Sequence, residues 1–389
     1  MLWKRRTYLD SAAGMSGNPS SPHEEGRRAK EKVEDARTNI ARLLEVQSDD
    51  IIFTSGATEA NALAILGHVR ALRLQARPDA PGRNNMHVLY LPSAHASIVE
   101  NMKLLAAENV SVETLPIRDA RVDTNALAKM LRKETVLVSM DAVCGETGVV
   151  WNTREVAQVL RKSGTRILLH VDASQAPFTE KVTRAHFDAD MLTLDASKVG
   201  EARGPSHFAQ CGGRGIGALI AHRTIPLAPL YRGGGQERGL RPGSESPELA
   251  QEFAAALAAA AQRREEFRTR ALRERTRLVE SITKSVPNVL VNEGRAQAPN
   301  ILNLSLPGRD TDYLVALLDE AGFAVSTRSA CETDSEEGSR AVYALTGDPE
   351  LARSTLRISW GPRVRSRELA RFAAALSRSI AFIDSSVRR

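Results

Sequence analysis

Between residues 51 and 194, short apolar runs alternate with helical segments, and this alternation restricts the possible folds more than any other feature of the chain. Apolar runs typical of buried strands lie at 51–54, 87–91, 136–140, 167–171 and 191–194. Helical periodicity predicts helices at 31–44, 60–73, 97–107 and 153–163. Strands that alternate with helices usually form a mainly parallel sheet covered on both faces. The sequence therefore predicts an α/β fold for this region.

The character of the sequence changes after Gly243. A long helix rich in Ala, Glu and Arg is predicted at 248–284, and short strands and helices follow it. The strands are predicted at 289–291, 301–306, 324–326 and 355–359, and the helices at 312–321 and 366–382. Because 389 residues exceed one ordinary domain, we expect a large domain and a smaller α+β C-terminal domain. The predicted division is an N-terminal segment at 1–15, the large domain at 16–250 and the small domain at 251–389.

Composition excludes several classes of protein. The net charge is +6, but the basic residues are scattered and aromatic residues make up 4%, which does not favour direct nucleic-acid binding. The basic start is not followed by an apolar segment, and the alanine-rich run at 253–261 is too short to cross a bilayer. Three cysteines are too few for a disulfide framework. We therefore expect a cytoplasmic protein with no membrane partner and no metal.

Three polar elements follow predicted strands, where ligands of open α/β sheets bind. The turn Ser55-Gly56-Ala57-Thr58 leads into a helix, and small residues there let backbone N–H groups approach a phosphate. Asp172 ends one apolar strand, and Lys198 follows the next. Each has an ordinary structural alternative: a packing turn, a helix N-cap and a surface lysine. Together they suggest pyridoxal phosphate (PLP), whose pyridinium nitrogen needs an acidic partner and whose aldehyde needs a lysine.

Cys331 lies in an unusual place. The stretch TRSACETDSEEGS at 327–339 is polar and acidic and predicts an exposed loop, whereas free cysteines are usually buried. An exposed thiol on a loop can reach both a cofactor and an acceptor protein. No comparable pattern surrounds Cys144 or Cys211, which we interpret as having no catalytic role.

These elements belong to a longer series of motifs, and in this order the chain resembles the cysteine desulfurases of the NifS type, within the class V aminotransferase fold. The motifs are YLDSA (8–12), GNPSSPH (17–23), IIFTSGATEANALAI (51–65), ETGVV (146–150), HVDASQ (170–175), GIGAL (215–219), GGGQERGLRPGS (233–244), PNILN (299–303), STRSAC (326–331) and LRISWG (356–361). The resemblance implies PLP-dependent transferase fold type I, with a mainly parallel seven-stranded sheet in the large domain.

The resemblance assigns roles around the cofactor ring. Lys198 would bind the cofactor covalently, and Asp172 would pair with the pyridinium nitrogen. Gln175 would contact the phenolic oxygen of the ring. His95 would stack on the ring and move protons.

The resemblance also assigns roles at the phosphate. Ala57 and Thr58 would bind it, joined by Ser244 from the partner subunit of a homodimer. Ser197 occupies the position of a phosphate-binding histidine of the family, and we expect it to contact the cofactor from there.

On the substrate side, the resemblance implies that L-cysteine is converted to L-alanine. Arg357 would bind the substrate carboxylate, with Asn18 beside it. Cys331 would accept the sulfur as a persulfide and pass it to an acceptor such as an iron–sulfur scaffold or a tRNA-thiolation protein.

The chain departs from the family pattern at several positions. Gly145 replaces an asparagine, Ser197 a histidine and Asp195 a serine. About ten extra residues near 202–212 follow the lysine, and a segment of similar size is missing between Ala13 and Gly17. We expect these changes to weaken PLP binding more than they alter the chemistry. Arg203, Ser206 and His207 of the extra segment either compensate at the phosphate or fill space at the surface.

Two other functions remain open from the sequence. One is a relative that acts on another amino acid, such as a selenocysteine lyase or class V aminotransferase. The other is a degenerate homologue that serves as a binding subunit, which the departures at the cofactor contacts would explain.

Overall fold

The structure is a computed structural model that describes residues 7–14, 17–75, 85–199, 214–327 and 338–386. The strands in these ranges are β1 (Ile51–Thr54), β2 (His87–Tyr90), β3 (Ser111–Thr114), β4 (Ile117–Arg118), β5 (Arg121–Val122), β6 (Thr135–Asp141), β7 (Leu168–Asp172), β8 (Met191–Asp195), β9 (Gly217–Ala221), β10 (Leu290–Val291), β11 (Ile301–Ser305) and β12 (Thr355–Ser359). The α-helices are α1 (Glu24–Leu44), α2 (Ala57–Ala62), α3 (His68–Gln75), α4 (Ala96–Ala107), α5 (Thr124–Met130), α6 (Thr153–Lys162), α7 (Arg184–Phe187), α8 (Pro247–Ser285), α9 (Thr311–Glu320), α10 (Arg340–Thr346), α11 (Pro349–Arg353) and α12 (Ser366–Ser386).

Seven of the described strands form one sheet in the order β1-β9-β8-β7-β6-β2-β3. The adjacent pairs β8–β7, β7–β6, β6–β2 and β2–β3 run parallel. Strand β9 is antiparallel to both of its neighbours, β1 and β8. Strands β1, β6, β7, β8 and β9 are almost entirely buried because helices cover the sheet. The predicted mainly parallel, seven-stranded α/β sheet is confirmed.

The individual elements of the prediction had mixed outcomes. All five strands predicted between 51 and 194 are present. Sequence reasoning did not identify β3, which has no fully buried residue, or β9 as strands. The strand predicted at 324–326 is wrong: within it, only Ser326 pairs, in an isolated bridge to Arg357. This bridge nevertheless matters for the site described below.

The C-terminal region has a hydrophobic cluster of its own. Strands β10, β11 and β12 form an antiparallel sheet, and their apolar residues pack with α9, α12 and the second half of α8. Helix α8 contributes Leu257 to the cluster around the large sheet and Leu278 to the C-terminal cluster. One helix of 39 residues thus packs in both clusters. The exact division at 15 and 250 stays a prediction.

Local sequence accounts for where α1 begins and ends. The side chain of His23 accepts a hydrogen bond from the Gly26 backbone, which caps the first turn, and Glu45 ends the helix in the left-handed conformation. Residues Val33, Ala36 and Ile40 of α1 are buried, as the predicted period requires.

In the described ranges, no helix is both long enough and apolar enough to cross a membrane.

A buried ion pair joins α1 to the glycine-rich segment at 233–244. The Nη1 and Nη2 atoms of Arg37 donate to the Glu237 carboxylate, at 2.9 and 2.6 Å, and the backbone N–H of Phe53 in β1 donates to the same carboxylate at 2.8 Å. Burial alone would lower the pKa of Arg37, but the hydrogen bonds and charge of Glu237 raise it overall. Glu237 and Arg238 both adopt positive φ angles, 47° and 61°. The ion pair holds this unfavourable backbone in place beside β1.

We predict that Glu237→Ala lowers the free energy of unfolding by about 3–5 kcal/mol, because it leaves the buried Arg37 charge with only the exposed Glu34 carboxylate as an ionic partner among the described residues. Glu248→Ala is the matched control: its carboxylate also pairs with α1, through Lys32, but both side chains are exposed. That control should cost at most about 1 kcal/mol. Chemical denaturation monitored by circular dichroism measures both. Equal losses in the two variants would contradict the prediction.

Candidate active site

A cavity of about 300 Å³ lies at the carboxyl ends of β6, β7 and β8. Seven of the predicted site residues line it: Ala57, Thr58, His95, Asp172, Gln175, Lys198 and Arg357. They come from separate segments of the chain, so only the fold brings them together. Cys331 lies outside the described residues, as do Cys211 and the extra segment at 202–212.

Asp172, the last residue of β7, is held rigidly. Its Oδ1 accepts a hydrogen bond from the backbone N–H of Ser174 at 2.9 Å, and its Oδ2 accepts one from Asn61 Nδ2 at 2.7 Å. Asn61 is fully buried, and Asp172 is 7% exposed. A carboxyl group fixed by two donors in a cavity wall has a defined orientation toward a cationic ligand group.

His95 caps α4 and is tied to the same network. Its Nδ1 accepts a hydrogen bond from the backbone N–H of Ser97 at 3.2 Å and contacts Ser97 Oγ at 2.8 Å. Ser97 Oγ in turn accepts from Asn61 Nδ2 at 2.8 Å. Because a backbone N–H can only donate, Nδ1 of the neutral ring acts as an acceptor and the ring proton resides on Nε2. The cap therefore sets the tautomer that His95 offers to a ligand.

Lys198 ends a short 3-10 turn, Ala196–Lys198, directly after β8. The side chain of Asp195 caps this turn, because its Oδ1 accepts from the backbone N–H of Ser197 at 2.7 Å. Its Oδ2 accepts from the backbone N–H of Ala57 at 3.0 Å. One carboxylate thus joins the lysine turn to the start of α2. Ser197 itself does not line the cavity, so its predicted cofactor contact stays a prediction.

The side chain of Arg357, in β12, reaches Gly145, which also lines the cavity. Its Nη1 donates to the backbone oxygen of Gly145 at 3.3 Å. A Cβ atom at Gly145 would lie only 3.1 Å from the Gln175 side-chain nitrogen. The glycine that replaces the family's asparagine therefore makes room for the amide of Gln175.

Asn18 and Ser244 lie together but do not line the cavity. Asn18 Nδ2 donates to Ser244 Oγ at 3.1 Å and to the backbone oxygen of Ala13 at 3.0 Å. Their predicted contacts with substrate and phosphate stay predictions.

The cavity also contains charged residues that sequence reasoning missed. Asp141 ends β6 and pairs in register with Asp172 of β7. Burial, reinforced by the charge of Asp172, raises the pKa of Asp141 well above its usual value. Glu146 and Arg340 line the cavity too. The rule that located Asp172, a carboxylate at the end of a buried strand, would also have located Asp141.

Cys144 lines the cavity, although sequence reasoning assigned no role to it. It is 1% exposed, and burial, followed by the charges of Glu146 and Asp141, raises the pKa of its thiol to about 12. A thiol with this pKa is almost never ionised at neutral pH and is a poor nucleophile. The interpretation of Cys144 as non-catalytic is consistent with this environment.

The two described ends of the segment that contains Cys331 are fixed at the cavity. On one side, Ser326 and Arg357 exchange backbone hydrogen bonds, and Thr355 Oγ1 donates to the Thr327 backbone oxygen. On the other side, Ser339 is fully buried and its Oγ donates to Glu146 Oε2 at 2.5 Å. One anchor therefore involves Arg357 and the other Glu146, and both of these residues line the cavity.

Comparison with known proteins decides the family. The aminotransferase class-V family model matches residues 6–372. The chain is 32% identical to cysteine desulfurase IscS 1 of Archaeoglobus fulgidus, over 89% of this chain and 85% of that protein. It is also 32% identical to cysteine desulfurase IscS of Neisseria gonorrhoeae, over 93% of this chain and 85% of that protein. The chain belongs to the class-V aminotransferase family.

Solved structures agree with this class-V assignment. DndA of Streptomyces lividans is 31% identical and superposes with a TM-score of 0.71, over 91% of this chain and 94% of that chain. A NifS-like protein is 26% identical with a TM-score of 0.82, over 96% and 93% of the two chains. The fold is therefore PLP-dependent transferase fold type I, as the sequence predicted.

Class-V aminotransferases are PLP-dependent enzymes, and the cavity of this one suits the cofactor ring. Lys198, Asp172, Gln175 and His95 all line it. Within the described ranges, the buried hydroxyls of two further lining residues, Ser93 and Ser174, have no hydrogen-bond partner. Such unsatisfied groups favour a polar ligand. No cluster of His, Cys, Asp and Glu suited to a metal ion is found among the described residues.

We predict that Asp141→Asn becomes progressively more stable than the parent as pH rises. Above pH 4 the unfolded chain releases the Asp141 proton, whereas the native class-V enzyme retains it because its pKa is raised. The parent therefore loses up to about 1.4 kcal/mol per pH unit, a loss that the amide variant avoids. Urea unfolding at pH 5 and pH 7 measures the difference. Exposed Asp35→Asn is the control, and a pH-independent difference for Asp141→Asn would contradict the prediction.

Proposed function

We propose that the protein is a cysteine desulfurase that removes sulfur from L-cysteine, releases L-alanine and takes the sulfur on Cys331. The observation that carries the proposal is the convergence of Lys198, Asp172, His95 and Arg357 on one cavity. It is supported by relatives named cysteine desulfurase that match about nine-tenths of the chain.

The residues of the cavity divide the work. When bound, PLP withdraws electrons from the amino acid and so weakens the bond between its β-carbon and sulfur. Lys198 Nζ would hold the cofactor covalently, and the Asp172 carboxylate would pair with its pyridinium nitrogen. Arg357 binds the substrate carboxylate and orients it. His95 carries a proton on Nε2 for exchange with the substrate.

Cys331 completes the reaction. Its thiolate attacks the substrate sulfur, a new S–S bond forms, and the carbon–sulfur electron pair stays with the carbon, which is then protonated to give alanine. Thr327, the last described residue before Cys331, adjoins the backbone bridge between Ser326 and Arg357, and this placement supports the role proposed for Cys331.

Three finer proposals accompany the activity. The sulfur is delivered to an acceptor protein, such as an iron–sulfur scaffold or a tRNA-thiolation factor, as suggested by relatives with the name IscS. The protein acts as a homodimer. It functions in the cytoplasm.

We predict that Cys331→Ala reduces sulfide release from L-cysteine below about 1% of the parent, because the nucleophile is lost, whereas the visible absorption of bound PLP still responds to L-cysteine. The response persists because substrate binding precedes sulfur transfer. Cys144→Ala is the matched control and should retain activity, since the Cys144 thiol is buried with a pKa of about 12. Lys198→Ala should lose both the absorption band and turnover. Full activity of Cys331→Ala would overturn the persulfide step.

We predict a dimer of about 85 kDa, twice the 42.3 kDa of one chain. The segment 233–244 is glycine-rich and anchored at Glu237, so its exposed end at Ser244 can approach a neighbouring subunit. Light scattering coupled to size exclusion measures the mass of the active protein. A mass near 42 kDa would rule the dimer out.

A further inference from the structure

Asp195 occupies an anion-binding position of the cavity. Its Oδ2 accepts the backbone N–H of Ala57, the first residue of the helical run from Ala57 to Gln75. Backbone N–H groups at such a position favour a negative charge, and here the negative charge is a side chain of the protein. The second carboxylate oxygen is also bound, by the backbone N–H of Ser197.

Two glycines, Gly56 and Gly217, let the backbone of the turn at 55–58 lie close to the Asp195 carboxylate. Gly56 has a φ of 153°, and a Cβ there would lie 3.5 Å from Asp195 Oδ2. Across the sheet, a Cβ at Gly217 would lie 2.7 Å from the Gly56 backbone. Any larger residue at Gly217 would push the turn and the Ala57 N–H out of position. The two glycines thus hold the turn where the Asp195 carboxylate can bind it.

The cofactor phosphate would seek the same donors. The turn at 55–58 is the phosphate site that the sequence predicts, and Ala57 and Thr58 line the cavity beside Asp195. A phosphate at the Ala57 N–H would meet the Asp195 carboxylate at contact distance, where like charges repel. The phosphate must displace the carboxylate or bind without this amide.

We propose that Asp195 is an internal competitor of the cofactor phosphate, so that this chain gains little affinity from the phosphate of PLP and discriminates weakly between PLP and pyridoxal. The proposal rests on the proposed function only in taking PLP as the cofactor. It concerns the phosphate end of the cavity and is independent of the sulfur chemistry at Cys331.

The comparison of two ligands isolates this effect. PLP and pyridoxal carry the same ring and the same aldehyde, so the contributions of Lys198 and Asp172 cancel in the ratio of their dissociation constants. The change in this ratio between the parent and a variant reports what surrounds the phosphate, because differences between the two free ligands are the same in every measurement. It is measured by equilibrium dialysis with protein stripped of cofactor, without any turnover.

The variants are Asp195→Asn, which keeps the shape, and Asp195→Ser, which removes both the charge and the reach to Ala57. Each should tighten PLP binding at least tenfold and leave pyridoxal binding within about twofold of the parent. Asp190→Asn is the matched control, because Asp190 also accepts a backbone N–H, from Leu169, at the opposite end of β8. It should change neither constant.

Each outcome decides the matter. An increased preference for PLP in both Asp195 variants supports the competitor role. An unchanged ratio, or equal weakening of both ligands, overturns it and leaves Asp195 as a structural link between β8 and α2. If neither the parent nor any variant binds PLP or pyridoxal, PLP is not the cofactor and the proposed function is contradicted with it. Tight PLP binding without desulfurase activity would leave the competitor role intact and refute the proposed function alone.

Discussion

The arrangement of the cavity depends on one buried amide. Asn61 Nδ2 donates both to Asp172 Oδ2 and to Ser97 Oγ, so a single group joins the helix after β1, the end of β7 and the start of α4. Asn61 is completely buried, so loss of either contact would leave a polar group without a partner away from water. This penalty fixes the spacing between Asp172 and His95. A π-helical segment at Leu63–Gly67 follows Asn61 closely, and such segments often occur near functional sites.

The sequence predicted the parallel core because buried strands leave continuous apolar runs, and all five such runs form strands. It did not predict β9 at Gly217–Ala221. The strand predicted at 324–326 is not formed, because only Ser326 makes a backbone bridge, to Arg357 on the edge of β12 that does not face β11. Hydrophobic periodicity indicates which residues are buried and whether they form a helix or a strand. It does not indicate which other strand lies beside them to accept backbone hydrogen bonds.

The site was predictable to a similar extent. Asp172 and Lys198 follow apolar strands, and position alone marked them. The turn at 55–58 and the exposed loop of Cys331 were also singled out by their local pattern, whereas Arg357 and the detailed roles of these residues came from resemblance to a family. Asp141 and Arg340 were missed, since the resemblance gave them no role. Long-range contacts of this kind arise from sheet order, which a single sequence does not state.

The charges of the cavity explain why the missed residues matter. Four carboxyl groups line it, those of Asp141, Glu146, Asp172 and Asp195, together with three cationic groups, those of Lys198, Arg340 and Arg357. Burial and the charge of Asp172 raise the pKa of Asp141 well above its usual value, which favours its protonated form. An incoming phosphate or substrate carboxylate brings further negative charge to a site that these carboxyl groups already line. Its binding therefore depends on how far each lining carboxyl group gives up its present partners, and of the four it is Asp195 that binds the first amide of α2.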